Sequence, residues 1–85
     1  MSGVQITVRY FAAARAAAGI ETETLSVPVG TTVDGLVTDL ARRGPELAKV
    51  LARCSYLRDG VAVRDKTVVL RTRETVDVLP PFAGG

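Results

Sequence analysis

The sequence contains no histidine and no tryptophan, and Cys54 is the single cysteine among 85 residues. Without histidine the chain lacks the commonest general base and the commonest metal ligand, and one cysteine cannot complete a zinc site. We therefore expect neither a metal centre nor Ser-His-type catalysis. A lone cysteine also forms no disulfide within the chain, which fits a reducing compartment.

Cys54 itself follows apolar residues at the spacing of one helix face, namely Leu47, Val50 and Leu51. Such a series is typical of a side chain that packs into a core. Free cysteines are among the residues most often buried. We therefore predict a buried thiol here and assign it no catalytic role.

Long apolar runs, blocks of like charge and phosphate-binding glycine loops are also missing. No run approaches the ~18 apolar residues of a membrane span, and residues 1–15 show no signal-peptide pattern. We predict a cytoplasmic protein without a membrane contact. Eleven basic and nine acidic residues are interspersed, so no nucleic-acid partner is expected. The isolated glycines predict no nucleotide site, and Arg42-Arg43 is interpreted as a solvated helix end.

What the sequence does contain is the pattern of one small globular domain. Residues 4–10 alternate apolar and polar side chains, which predicts a half-buried strand. Residues 12–18 are almost all alanine and precede Gly19, which predicts a short helix with a glycine cap. Residues 22–29 alternate again and pair naturally with the first strand, and Pro28 indicates an edge or a strand end.

The second half of the chain predicts the main helix and the remaining strands. Gly30-Thr31-Thr32 offers an N-cap for a helix whose apolar stripe is Val33, Leu36, Val37 and Leu40. A short helix is expected over 46–53, then a strand at 55–57 and a turn at 58–60. Alternation continues through Val61, Val63, Val68 and Leu70, and the last strand is expected at 76–79. This order predicts an α+β domain with one mixed sheet over one main helix.

The chain ends on Pro80-Pro81-Phe82-Ala83-Gly84-Gly85. Two prolines stop sheet pairing, and six residues extend at most ~20 Å at ~3.3 Å each. Two terminal glycines have no Cβ to block a narrow active site. Since the Gly85 carboxylate is anionic above a pKa of ~3.3–3.7, it resists nucleophilic attack until a partner activates it, for example with ATP. A merely frayed terminus is the alternative.

Two segments carry a resemblance to a known family. Residues 8–15 read Val-Arg-Tyr-Phe-Ala-Ala-Ala-Arg and are followed by Gly19, and residues 76–85 read Val-Asp-Val-Leu-Pro-Pro-Phe-Ala-Gly-Gly. In this order the chain resembles the MoaD family, the small sulfur-carrier subunits of molybdopterin synthase. It departs from the usual family pattern at Arg58-Asp59-Gly60 and at Thr72-Arg73-Glu74, in loops where a partner reads identity.

The resemblance implies a ubiquitin-like β-grasp domain over 1–79, with a sheet of about four to five strands, and a flexible tail over 80–85. It implies that an E1-like enzyme uses ATP to adenylate Gly85, and that a sulfur donor protein then converts it to a thiocarboxylate. The tail, Pro80, Pro81, Phe82, Ala83 and Gly84, would insert into the large synthase subunit, which transfers the sulfur to a pterin precursor. The carrier would bind no cofactor and would form a hetero-oligomer with the large subunit.

An exposed apolar patch is expected to dock the partners, because aromatic and aliphatic anchors dominate such surfaces. The candidates are Phe11, Val61, Val63, Leu79 and Phe82, with burial in the core as the alternative for most of them. Three other functions stay open at this point. The first is a sulfur carrier for thiamine synthesis, cysteine synthesis or another thiolation. The second is a ubiquitin-like protein modifier, and the third is an interaction module whose tail is inert.

Overall fold

A computed structural model describes residues 3–81, where five strands form one sheet and three helices cover one of its faces. In chain order these are β1 (Gly3–Tyr10), α1 (Ala12–Ala18), β2 (Thr22–Pro28), α2 (Val33–Ala41), α3 (Pro45–Leu51), β3 (Ser55–Arg58), β4 (Val61–Ala62) and β5 (Glu74–Leu79). The sheet order is β2-β1-β5-β3-β4, with β1 and β5 parallel and all other neighbours antiparallel. The predicted α+β class and mixed sheet are confirmed.

The core lies between the sheet and the helices because alternate strand residues point to that side. Along β1 the even-numbered side chains are buried and the odd-numbered ones are exposed or half-exposed, as the period of a strand requires. The predicted α2 stripe packs against them, with Val37 only partly buried. The buried core consists of Val4, Ile6, Val8, Tyr10, Ala14, Val27, Val33, Leu36, Leu40, Leu47, Leu51, Cys54, Tyr56, Leu70, Val76 and Val78.

Helix ends follow the predicted local signals. Gly19 ends α1 with a φ of 76°, and its N–H donates to the Arg15 carbonyl. The Thr32 hydroxyl accepts a hydrogen bond from the Gly35 N–H at 3.0 Å and so caps α2, and Pro45 occupies the first turn of α3. The caps at Gly19 and Thr32 satisfy backbone groups that a helix end would leave unpaired, and Pro45 has no N–H to leave unpaired.

The segment after β4 differs from the prediction of continued strand alternation. Within the described residues β4 is only two residues long, and Val68 and Leu70 belong to no strand. Their backbone pairs with the entry to α2, because Val33 N–H donates to the Val68 carbonyl and Leu70 N–H to the Thr31 carbonyl. The alternation correctly indicates the burial of Leu70. The backbone hydrogen bonds of this segment, however, are made with the loop before α2 and not with a strand.

The turn between β3 and β4 shows why Asp59-Gly60 stands there. Asp59 has a φ of 47° and Gly60 a φ of 83°, so both central residues are left-handed, as a two-residue hairpin of the mirror-image type requires. Asp59 also exchanges two hydrogen bonds of 2.8 Å with Thr75, one from each backbone N–H. The turn therefore extends the pairing between β3 and β5.

Arg43 corrects the interpretation of Arg42-Arg43 as a merely solvated helix end. Its guanidinium donates to the Glu23 carboxylate at 2.6 Å, and the same oxygen accepts from the Tyr10 hydroxyl at 2.6 Å. The loop after α2 is thereby tied to β2 and β1. Burial pushes the pKa of Glu23 upward, but the hydrogen bonds from Arg43 and Tyr10 outweigh it, so the pKa lies below its usual value.

Glu23→Gln is expected to lower the free energy of unfolding by roughly 1 kcal/mol at pH 7, because Arg43 and Tyr10 lose the charged carboxylate that accepts their hydrogen bonds. Since the folded-state pKa of Glu23 is depressed, its contribution is present above the unfolded value of about 4.3 and is lost as the pH falls through the folded pKa. Denaturant unfolding between pH 7 and pH 3 measures this.

Glu21→Gln is the matched control, because Glu21 is exposed and lies 3.9 Å from Arg15 in a pair open to solvent. It should change stability by less than ~0.5 kcal/mol. Equal losses of stability in both variants at pH 7 would show that the Glu23 cluster contributes nothing specific.

Candidate functional site

The tail leaves the protein from the centre of the sheet. Its preceding strand, β5, is hydrogen-bonded to β1 on one side and to β3 on the other. Val78 is fully buried, and its carbonyl accepts a hydrogen bond from the Phe11 N–H at 3.2 Å. The root of the tail is therefore fixed by two neighbouring strands up to Leu79.

The two prolines are the last described residues of the tail. Pro80 is half-buried and Pro81 is exposed, and neither belongs to β5. Proline has no N–H to donate and its φ is fixed, so these residues end the sheet and stiffen the exit. The predicted tail residues Phe82, Ala83, Gly84 and Gly85 lie outside the described residues.

A partly buried ion pair adjoins this exit on the face of the sheet that the helices leave uncovered, here called the open face. Arg9 donates to both carboxylate oxygens of Asp77, at 2.7 and 2.9 Å. Asp77 is only 5% exposed, whereas the Arg9 side chain is 50% exposed. The hydrogen bond and charge of Asp77 raise the pKa of Arg9. The pair joins β1 to β5 two residues before the strand ends.

Phe11 continues the same surface. The residue is 38% exposed, and the Arg9 guanidinium lies 5.7 Å from the centre of its ring. A guanidinium at this distance is attracted to the face of an aromatic ring. Leu79 follows Asp77 on the open face and is half-buried. Phe11 and Leu79 are thus brought together beside the exit of the tail.

The other two docking candidates lie elsewhere. Val61 is 69% exposed on the short edge strand β4, where it pairs with Arg58. Val63 is partly buried and packs against the core, and its N–H donates to the Tyr56 carbonyl. Because β3 separates β4 from β5, the predicted patch is divided into two places.

A groove opens on the helix side at the same root of the tail. We call it the tail-root groove; it has a volume of about 650 Å³ and is lined by Ala13, Lys49, Val50, Ala52, Arg53, Pro80 and Pro81. α1 and α3 contribute one wall each, and the two prolines contribute the third. The sequence contains no signal for it, because its residues come from three distant segments.

The single thiol of the chain, that of Cys54, is buried and unsuited to act as a nucleophile. Burial raises the pKa of the Cys54 thiol, which donates to the Val50 carbonyl at 3.1 Å, so the prediction of a buried thiol is confirmed. Among residues 3–81 no group of three His, Cys, Asp or Glu side chains is placed to hold a metal ion. Over the same residues, no helix has the length and apolarity needed to cross a membrane.

Sequence reasoning missed Arg9, Asp77, Lys49 and Arg53. The alternation in β1 predicts that its odd-numbered side chains face solvent. Considered without its partner, Arg9 is an ordinary member of that series. Only the parallel register that sets Arg9 opposite Asp77 shows that the two charges meet. A charged residue inside an apolar strand, as in Val76-Asp77-Val78, is the one signal that such a carboxylate is buried and has a charged partner.

Comparison with known proteins identifies the family to which the sequence is similar. The sequence matches the ThiS family over residues 8–85. The molybdopterin synthase sulfur carrier subunit of Homo sapiens is 31% identical over 83 residues, which cover 95% of this chain and 94% of the human protein. That of Arabidopsis thaliana is 30% identical over 84 residues, covering 99% of this chain and 86% of the plant protein.

A solved structure supports the fold. One chain of the Helicobacter pylori complex of subunits 1 and 2 of molybdopterin-converting factor aligns with a TM-score of 0.72 at 18% identity, covering 96% of this chain and 100% of that chain. At this identity the likeness shows the fold alone. The ubiquitin-like β-grasp fold implied by the resemblance is confirmed.

Proposed function

The chain belongs to the ThiS family, and from this premise we propose that it is the sulfur carrier subunit of a molybdopterin synthase, with the carboxylate of Gly85 as its working group. The observation that carries the proposal is the match over residues 8–85, which includes the terminal Gly84-Gly85. The chain is a carrier and not itself an enzyme. Its relatives in human and Arabidopsis bear the name of sulfur carrier subunits.

The chemistry begins with activation by a partner, an E1-like enzyme. A Gly85 carboxylate oxygen attacks the α-phosphorus of ATP, pyrophosphate leaves, and a glycyl adenylate forms. Attack of sulfide on the acyl carbon then forms a C–S bond and expels AMP. If the donor is a persulfide protein, a thiol must reduce the acyl disulfide that results. Either route ends in a thiocarboxylate, whose sulfur is the nucleophile that the large subunit uses.

The fold supports this role by holding the root of the tail and leaving the chemistry to partners. β5 is paired on both sides, so Pro80 leaves from a fixed point. From there residues 80–85 reach at most ~20 Å, enough to enter the active site of another protein. A tail of this length allows the same carrier to serve first the activating enzyme and then the synthase.

We further propose that partners dock on the open face beside the exit, on Phe11 and Leu79. An aromatic ring that is partly exposed and stacked under a guanidinium is a typical interface anchor. Val61 and Val63 lie beyond β3 and form a second, separate contact. The large synthase subunit is the partner whose active site the tail would enter, and the two chains would form a hetero-oligomer.

Intact-protein mass spectrometry of the chain from its native cells, kept cold and free of reducing agent, tests the proposal. A fraction heavier by the sulfur-for-oxygen difference of ~16 Da, mapped to Gly85, is expected. The mapping is essential because oxidation of Met1 or Cys54 adds a similar mass. Cells that lack the activating enzyme supply the control and should contain only the lighter form.

Three results would contradict the proposal in whole or in part. An unmodified tail in cells that are making the pterin cofactor would favour an inert interaction module. Branched adducts of Gly85 on lysines of other proteins, without the heavier free form, would favour a ubiquitin-like modifier. A heavier form in cells that make no such cofactor would keep the carrier chemistry but assign it to another thiolation, such as that of thiamine or cysteine synthesis.

A further inference from the structure

The tail-root groove has a composition that selects its occupant. Ala13, Val50 and Ala52 give it an apolar wall, and Pro80 and Pro81 line its entrance from the tail. Its volume of about 650 Å³ lies in the range of ~300–1,000 Å³ that holds small ligands. The tail-root groove therefore favours an occupant with an apolar side chain.

Two cations complete the groove, and no acidic residue lines it. Lys49 and Arg53 are four positions apart, so on α3 and its continuation they project from neighbouring points of one face. Neither forms an ion pair with an acidic residue of the described part of the chain. The groove thus offers an apolar wall with two available positive charges, which favours an occupant that combines an apolar side chain with an anion.

We propose that this occupant is the protein's own C-terminus, with Phe82 against the apolar wall and the Gly85 carboxylate against Lys49 and Arg53. The segment starts at the groove, because Pro81 lines it. The four residues that follow span at most ~13 Å. Phe82 is their one large apolar side chain, and the chain terminus supplies the anion.

Connection through Pro81 favours this occupant over a free ligand. A segment joined to the rim of its own site has an effective concentration in the millimolar range, so weak contacts suffice to populate the docked form. Gly84 and Gly85 have the backbone freedom to turn the carboxylate towards the cations. The two ion pairs are screened by salt, so high salt should release the docked tail as a whole, including the contacts of Phe82.

The docked tail would withhold the carboxylate from other proteins. Partners would bind the released form, and their apparent affinity would be reduced by the fraction of chains that are released. The groove would then hold the Gly85 carboxylate on its own protein until a partner protein binds the released tail. This inference adds a regulatory step to the proposed function but requires no sulfur chemistry, because the unmodified carboxylate docks.

NMR spectroscopy of the full-length unmodified chain, without partners, tests the inference. We expect nuclear Overhauser effects between the Phe82 ring and the methyl groups of Val50 and Ala13. Backbone order parameters of Gly84 should approach the ~0.85 of the folded domain. In the Lys49→Gln/Arg53→Gln variant, or in 1 M salt, the order parameter should fall below ~0.6 and the contacts should weaken at least twofold.

Arg42→Gln/Arg64→Gln is the matched control, since it also removes two exposed positive charges but neither residue lines the groove. It should leave the tail signals unchanged. Glutamine has nearly the helix propensity of lysine and arginine, so all variants should fold, which circular dichroism checks.

Absence of Phe82 contacts in the wild-type chain would overturn the inference, as would equal effects of the two double variants. Shifts of groove residues that arise only when the large synthase subunit is added would also overturn it and assign the groove to that partner. None of these outcomes bears on the carrier role, which the mass of Gly85 tests separately.

Discussion

One residue added after Gly85 is expected to abolish adenylation and sulfur transfer completely. An added alanine moves the terminal carboxyl ~3.3–3.6 Å outward and places a Cβ where the chain now ends without a side chain. Catalytic geometry tolerates displacements of well under this distance, so the carboxylate no longer meets the α-phosphorus of ATP. The measurement is ATP–pyrophosphate exchange with the activating enzyme from the same cells.

The same alanine added before Met1 is the control and should leave the exchange rate unchanged. The C-terminal extension should not alter the thermal midpoint, because Val78, the last buried core residue within residues 3–81, lies seven positions before Gly85. Near-normal exchange by the extended chain would show that Gly85 is not the reacting group. The carrier function would then have to be abandoned in favour of a binding module.

Ile6→Ala is expected to give the largest loss of stability among the substitutions considered, about 3 kcal/mol within the range of ~2–5 kcal/mol for such truncations. Ile6 is fully buried in the middle of β1, opposite Leu25 of β2 and Glu74 of β5. The substitution would leave a cavity under β1, the strand that pairs with β5 and so helps to fix the root of the tail. For a domain of this size the thermal midpoint should fall by on the order of 15 °C.

Ile20→Ala removes the same atoms from a side chain that is 43% exposed in the loop between α1 and β2. It should cost less than about 1 kcal/mol, because the side chain buries less surface. Thermal and guanidinium unfolding followed by circular dichroism compare the two variants. If both lose equal stability, the core is not organised around β1 as the structure has it.

The two experiments separate the two parts of this protein. The extension should destroy activity and leave stability unchanged, whereas Ile6→Ala should destroy stability without touching the reacting group. Such a division is expected of a carrier, whose folded body offers a fixed root and a docking surface while the enzymes supply the catalytic groups. The Arg9–Asp77 pair lies where these parts meet, at the end of β5.

Local structure was largely predictable from the sequence. The bounds of α1 were predicted as observed, and those of β1, β2, α3, β3 and β5 differ by one or two residues at an end. These elements depend on alanine content, alternation and caps that act over a few residues. The exceptions were Val68 and Leu70, whose alternation indicated a strand although their backbone pairs with the loop before α2. Periodicity reports which side is buried and not which partner accepts the hydrogen bonds.

The sequence by itself determined the residues on which the proposed chemistry of the tail depends: two glycines without side chains and two prolines that end a strand. Only the tertiary structure decided from which position in the sheet that tail leaves and what surrounds its root. The central place of β5, the meeting of Arg9 with Asp77 across 68 positions, the bond from Arg43 to Glu23 and the tail-root groove all join distant segments. Such contacts depend on strand register and helix packing, which single-residue patterns do not encode.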